Sequence, residues 1–302
     1  MTNETRPGTA RRSEGLTADE IAHLRQWVGR TEQTSDRIAR ARVDALGATL
    51  DRREFPNEGD VLPPLWHWLF FQPTARQSEL GVDGHPRRGG FLPPVPLPRR
   101  MWAGGRLHFQ NARPLRVGQD VVRQSVITAV DYKEGRSGGL VFVSLRHTIL
   151  DGEGEAALTE DQDIVYRGHV TSAVSGAASA RAPAAPVWTR EIHPDASLLF
   201  RYSALTFNGH RIHYDRAYAT EAEGYPALVV HGPLIATLLL ELLHTEMPDA
   251  RIESFSFRAV APLFDTAPFL VCGSPQGNQR TVSLWAQTPD GSLAMSATAD
   301  LF

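Results

Sequence analysis

The stretch Leu228–Leu243 reads LVVHGPLIATLLLELL. It opens on Gly232-Pro233, a pairing suited to the first turn of a helix, where the missing proline N–H costs nothing. From Leu234 onward the only charge is Glu241. A surface helix keeps its apolar residues on one stripe; this one is apolar all round and must be enclosed. It is too short to span a bilayer and is interrupted by His231, Gly232 and Pro233. Strand patterns follow it: RIESFSFRAVAPLF, PFLVCGS, RTVSLWAQTPDG and SLAMSATADLF. One apolar helix ahead of a run of antiparallel strands has a natural packing solution, a sheet curled around the helix.

The first half carries a similar plan. GRLHFQNARPL, DVVRQSVITAVDYK, LVFVSLRHTILD and EDQDIVYRG read as strands, with EGRSGG and DGEGE as turns. Leu107–Leu115 (LHFQNARPL) matches Glu253–Leu263 (ESFSFRAVAPL), placing Pro114 and Pro262 148 residues apart. SLRHTILDGE matches SLWAQTPDGS, with Asp151 and Asp290 139 apart. The pattern predicts a helix-and-meander unit present twice. VLPPLWHWLFF (Val61–Phe71) is the candidate buried helix of the first unit.

Leu16–Gly29 predicts a helix capped by Thr17 with Glu20 three residues on, and EQTSDRIARARVDALGATL predicts a second. RRGGFLPPVPLPRRMWAGG predicts a long, stiff, irregular loop. Its Phe91, Met101 and Trp102 are candidate walls for a pocket, and Arg99, Arg100 and Arg106 stand beside them. Residues 168–186 are small, polar and proline-bearing, as a linker is. The domain reading is a disordered tail at 1–15, an N-terminal half at 16–167, a linker at 168–186 and a C-terminal half at 187–302.

Composition excludes several classes. The 302 residues carry a net charge of -3, so no basic field invites nucleic acid. One cysteine, Cys272, can form neither an intrachain disulfide nor a thiolate cluster, which points to a reducing, cytoplasmic setting. The N-terminus has no apolar core for a signal peptide. Hydrolase, nucleotide-binding and zinc-protease motifs are absent. DGEGEAALTEDQD lacks the glycine and terminal glutamate of a calcium loop and reads as a solvated acidic turn.

Thr206–Asp215 (TFNGHRIHYD) concentrates His210, His213, Asn208, Arg211 and Asp215. Three readings compete. A metal could take both histidines with Asp215 or His231, but Arg211 would repel it. A helix entry would use Asn208 as its cap. An acid/base site would use an imidazole, with the neutral Asn208 amide holding a water. The third reading also needs an oxyanion partner. His231-Gly232-Pro233 supplies one, because the first N–H groups of a helix are free and glycine has no side chain in the way. That pairing describes adding or removing water beside a thioester carbonyl.

At these residues the sequence resembles a known family. Arg201–Leu234 (RYSALTFNGHRIHYDRAYATEAEGYPALVVHGPL) is similar to the catalytic segment of the MaoC-like, hot-dog-fold hydratases and dehydratases, most closely the type 2 hydroxyacyl-thioester dehydratases. LRQWVGRTEQTSDRI and HPRRGGFLPPVPLPRRMWAGGRLHF resemble the bacterial subgroup of mesaconyl-C4-CoA and itaconyl-CoA hydratases, so the likeness spans nearly the whole chain. It implies an α+β double hot dog with a degenerate N-terminal and a catalytic C-terminal half. It implies reversible hydration of a short branched or dicarboxylic enoyl-CoA to a citramalyl-CoA type product.

In this likeness His213 matches the family histidine, while Asn208 stands where the family has an aspartate, and His210 where many relatives have asparagine. Gly232 matches the glycine whose N–H holds the thioester oxygen. His213 is then the acid/base and Asn208 orients the water. Arg211, His210, Tyr202, His231, Arg99, Arg100 and Trp102 are substrate-binding candidates, with Tyr214 at the rim. Coenzyme A enters as part of the substrate, with no metal or separate cofactor and no nucleic-acid or membrane partner. A homodimer is the family expectation, and a monomer is compatible because a double hot dog is already a pseudo-dimer. Two alternatives stand beside this reading: a 3-hydroxyacyl dehydratase acting on carrier-bound or longer acyl chains, and a non-catalytic acyl-thioester binder.

Overall fold

The computed structural model describes residues 15–135, 138–168, 180–277 and 279–302. The expected tail and most of the expected linker lie outside them. The chain runs α1 (Ala18–Arg25), β1 (Thr31–Arg37), α2 (Arg40–Thr49), β2 (Arg99–Phe109), β3 (Asp120–Gly135), β4 (Gly138–Leu150) and β5 (Ala156–Arg167). The second half runs β6 (Trp188–Ile192), α3 (Ala196–Leu205), α4 (Gly232–Glu246), β7 (Ile252–Ala259), β8 (Phe269–Pro275), β9 (Thr281–Gln287) and β10 (Leu293–Leu301).

All ten strands join one antiparallel sheet in the order β1-β3-β4-β5-β2-β7-β10-β9-β8-β6. Read outward from the β2–β7 seam, the two halves are mirror copies: each places its second strand at the seam and its first at the far edge. The 148-residue offset that equates Pro114 with Pro262 also equates Leu107 with Phe255, and these two are paired across the seam. A residue paired with its own equivalent marks a local two-fold axis. The double hot-dog arrangement is therefore written into the ladder register.

α4 is the central helix. His231 caps it only through its backbone, Pro233 sits in its first turn, and every residue from Leu234 to Leu243 is buried. The helix lies against β8, β6, β9 and β10, on the concave side of the C-terminal half. Each enclosed leucine contributes on the order of 2 kcal/mol of apolar burial. The buried acid of this helix, Glu241, is held by Arg52 at 2.6 Å and 2.8 Å and by the Trp66 indole at 3.1 Å.

Three expectations are corrected. Val61–Phe71 is not a buried helix: only Trp66–Leu69 turns, as a 3-10 element, between left-handed Leu65 and Phe71. Between α2 and β2 the described residues contain no long helix, so the N-terminal half lacks a counterpart of α4. The segment after Trp27 is a strand before it is a helix, because Thr31–Arg37 pairs with β3. The Gly/Pro loop ends at Pro98; Arg99–Trp102 already belong to β2, opposite Arg167–Ile164 of β5. α1 forms as expected, with the reciprocal Thr17–Glu20 capping box. Sequence reading missed β6 and α3 altogether.

The missing helix has a consequence for the site. Phe91, Leu92, Val95 and Leu97 of the irregular loop cover one end of the N-terminal half, with Leu24 and Tyr166. Arg88 fastens that loop, donating to Val95 O at 2.6 Å, to Pro98 O at 2.5 Å and to Leu97 O, with its guanidinium 5.1 Å from the Tyr166 ring. Between this cover and α4 a cleft of about 2010 Å³ remains open.

Candidate active site

α3 ends at Leu205, and the chain reverses through Phe207, whose φ of 50° is left-handed. Asn208 N donates back to Ser203 O at 2.8 Å, and Asn208 Oδ1 accepts His210 N at 3.0 Å. This side-chain bond to the backbone two residues on fixes the turn. It leaves the NH2 group of Asn208 without a partner among the described residues, and Asn208 lines the cleft. A 3-10 turn, Arg211–His213, then carries His213 inward.

His213 is buried, and its Nδ1 lies 2.7 Å from Val229 O. A carbonyl only accepts, so Nδ1 bears the proton and Nε2 keeps its lone pair. Burial, then the neighbouring His210 charge, push its pKa down to about 3, against a smaller upward pull from the Val229 carbonyl. The ring is a neutral base at ordinary pH. It stands in a column of four imidazoles: His85 to His210 at 4.5 Å, His210 to His213 at 5.5 Å, and His213 stacked on His231 at 3.7 Å. Burial and the Arg100 charge lower His210 to about 4, and burial is the largest cause of the lowered values of His85 and His231 as well. No group of three or more histidine, cysteine or carboxylate side chains placed to hold a metal ion occurs among the described residues.

Gly232 opens on the same cleft as His213. No side chain caps α4, so the positive end of its dipole points out of the helix unneutralised. A Cβ added at Gly232 would meet nothing within 4 Å, which places open space where a thioester oxygen would approach. The site can therefore hold a carbonyl at one edge and a neutral base at the other.

The remaining candidates divide. Trp102, Met101, Phe91, Arg100, Arg99, His210, Arg211 and Tyr214 all line the cleft. Tyr202 and His231 do not; they stand behind His213. Ser203 Oγ and His231 Nε2 are 2.8 Å apart, and Tyr202 packs edge-on against the His231 ring at 5.1 Å. They pack behind the His213 ring, away from the cleft lining. Arg211 is held by Asp215 at 2.7 Å and 3.0 Å and by Val82 O at 3.0 Å, with Tyr218 beneath it at 4.3 Å. Arg99 is paired with Glu223 at 3.0 Å and also donates to its backbone carbonyl. Arg106 faces away, bonded to Asp163 at 2.8 Å. Arg100 alone of these five-donor forks has no carboxylate within ion-pair distance among the described residues.

Sequence reading missed His85 and Ser203. His85 comes from the Gly/Pro loop of the other half, and the loop is joined to the cluster by Arg211 N donating to Asp83 O at 2.9 Å. Gly84 is required there: a Cβ would lie 1.9 Å from Gly209 O. The signal lay in the histidine beginning HPRRGG, but no periodicity ties it to residues so far along the chain.

Comparison with known proteins identifies the family and the fold. The family model of hydroxyacyl-thioester dehydratase type 2 matches residues 65–265. The chain is 50% identical over 278 residues to a mesaconyl-C(4)-CoA hydratase of Chloroflexus aurantiacus, covering 91% of this chain and 96% of that one. It is 30% identical over 273 residues to the mitochondrial hydroxyacyl-thioester dehydratase type 2 of Schizosaccharomyces pombe, covering 80% and 90%. Among solved structures, a MaoC-like dehydratase superposes with a TM-score of 0.67 at 16% identity, covering 91% of this chain and 98% of that one; this likeness shows the fold.

Proposed function

The chain belongs to the hydroxyacyl-thioester dehydratase type 2 family of hydro-lyases, and on that premise we propose that it reversibly hydrates a short, branched or dicarboxylic enoyl-CoA of the mesaconyl-C4 type to a citramalyl-CoA. The observation that carries the reading is that the free Nε2 of His213 and the uncapped start of α4 at Gly232 open on one cleft.

The thioester oxygen accepts the Gly232 N–H, where the helix dipole favours the negative charge that develops on it. A water held by the Asn208 amide gives a proton to His213 Nε2 while its oxygen bonds to the alkene carbon farther from the thioester. The alkene electrons move onto the carbonyl, giving an enolate. His213 then returns the proton to the carbon next to the thioester, and the enolate collapses. One base thus serves both transfers, so an amide at position 208 is sufficient. The stacked His231 and the Val229 carbonyl hold the ring through the cycle. Arg100, whose charge reaches His210, is the cation available for a carboxylate on the acyl group. Coenzyme A is the carrier of the substrate; the steps call for no metal or separate cofactor.

The test follows the loss of enoyl-thioester absorbance with mesaconyl-C4-CoA, itaconyl-CoA and crotonyl-CoA. Loss of absorbance, greatest with mesaconyl-C4-CoA, is expected. No change with any of the three would replace the enzyme by a thioester binder. A second reading, dehydration of longer 3-hydroxyacyl thioesters, is favoured by the size of the cleft, about 2010 Å³. It predicts rising kcat/KM with alkyl chain length.

A further inference from the structure

The cleft does not stop at the histidines. At about 2010 Å³ it exceeds the ~300–1,000 Å³ usual for a small-molecule site. It continues across the N-terminal half, where no long helix covers the sheet, to a wall formed by β3, β4 and β5. Beside Leu145 and Ile164, that wall carries polar residues. Ser125 pairs with His147, and His147 with Glu160, in adjoining ladders. His147 Nδ1 lies 2.7 Å from Ser125 Oγ, and the Gln162 side chain also pairs with the His147 ring. Gln162 donates to Glu160 at 2.9 Å, and that carboxylate also takes the Trp68 indole and His67 behind the wall, at 3.0 Å each.

Arg123 stands two residues along β3 from Ser125, on the same face. Its guanidinium lies 5.3 Å from the Phe71 ring, and its Nε is buried without a hydrogen-bond partner. The only carboxylate within ion-pair reach among the described residues is Glu32, at a long 3.8 Å. The Arg123 side chain is 24% exposed, but its Nε is buried, and a buried donor is costly unless something pairs with it. Arg123, His147 and Gln162 all face the cleft. A methyl-ended chain pushed against Arg123 would leave its spare donors unmet. A carboxylate would take them with charge-assisted bonds.

We infer that this wall is a second recognition element, in which Arg123, set beside the paired His147 and Gln162, receives the terminal carboxylate of an acyl group longer than the C5 unit. The chain thereby accepts ω-carboxy enoyl thioesters as a further substrate class. The inference rests on the thioester reading of His213 and Gly232, so the experiment has two arms.

In the first, kcat/KM is measured for trans-2-enoyl-CoAs of matched and increasing length ending in methyl or carboxylate. The carboxylate should be preferred by about tenfold or more at the best length beyond C5. That ratio should fall toward one in Arg123→Met and recover in part in Arg123→Lys. A wild-type ratio at or below one at every such length overturns the inference, and so does a ratio that Arg123→Met leaves unchanged. In the second arm, calorimetry compares saturated ω-carboxyacyl-CoA with alkyl-acyl-CoA and needs no turnover. If no enoyl-CoA is hydrated but the carboxyl-ended ester binds tighter, and Arg123→Met removes the difference, the proposed reaction falls and this site stands. Equal binding of the two esters overturns it, as does a free dicarboxylate that binds as well as its CoA ester.

Discussion

The imidazole rings of His213 and His231 lie 3.7 Å apart with their planes 19° from parallel. Two rings stacked this closely and both buried cannot both be cationic, and both have pKa values pushed down. The same short segment provides everything His213 needs: Val229 O fixes its tautomer, His231 backs its face, and Gly232 opens the helix toward which charge moves. The histidine cluster and the Gly-Pro helix start are thus one site.

Replacing the base tests this most directly. His213→Ala should lower kcat by about 10²–10⁴-fold, the usual worth of a positioned acid/base, while far-ultraviolet circular dichroism stays that of the wild type. His210→Ala should cost far less. His213→Ala turnover within threefold of wild type would remove His213 from the mechanism.

Asn208 can be tested by adding the charge it lacks. Asn208→Asp preserves the acceptor for His210 N, now at 3.0 Å. It also sets a carboxylate beside the histidines, which raises their pKa values. The variant should remain active but lose kcat/KM on the acid side at a higher pH than the wild type. Asn208→Ala, with no group to hold water, should be slow at every pH. An Asn208→Ala variant as fast as wild type would show that the amide holds no reacting water.

Gly232→Ala separates activity from stability. Its backbone is not left-handed, and the added methyl meets no atom within 4 Å. Melting temperature should therefore change little. The methyl projects into the space where the thioester oxygen would sit, so kcat/KM should fall by about 10²-fold or more. Full activity would mean the oxygen binds elsewhere.

How much of this could be read from the sequence follows from what each signal depends on. The repeat was legible because it depends on matched strands, and Leu107 opposite Phe255 is the physical form of the Pro114–Pro262 offset. α4 was legible because enclosure needs apolar residues on every side. The N-terminal counterpart was misjudged because the tryptophans of Trp66–Leu69 looked like helix core. Instead their indoles reach Glu241 and Glu160 across the fold. Arg211 reads from the sequence as a candidate for a substrate carboxylate, whereas in the fold Asp215, four residues on, takes its guanidinium at 2.7 Å. His85 depends on a contact between the two halves, and nothing local encodes it.

Acid should unfold the protein before it stops the chemistry. His213 and His210 titrate near 3 and 4 when folded, against 6.5 for a free histidine. Between those values and about 6.5 the unfolded chain binds more protons than the folded one, so stability rises with pH across that window and is lost as pH falls through it. The slope is at most about 1.4 kcal/mol per pH unit for each histidine held neutral. Urea midpoints should drop from pH 7 to about pH 5, while kcat/KM of the folded wild type stays flat. An unchanged midpoint would contradict the neutral column.

The two halves are tied by two largely buried ion pairs, Arg99–Glu223 and Arg52–Glu241, and the energetics of the second have a testable asymmetry. Arg52, just past α2, grips Glu241 of α4 at 2.6 Å and 2.8 Å, and stacks on Trp66 at 4.7 Å. Removing one partner strands the other charge in a dry setting, which typically costs about 3–5 kcal/mol, whereas replacing both by apolar residues is often nearly neutral. Arg52→Ala should therefore lower the urea midpoint more than the double variant Arg52→Met/Glu241→Leu does, even though the double variant loses more polar contacts. Trp66 limits the recovery, because its indole N–H also donates to Glu241, at 3.1 Å, and would lose that acceptor. A double variant less stable than Arg52→Ala would mean that the pair contributes more attraction than its burial costs, and that α4 is held to the N-terminal half chiefly by charge.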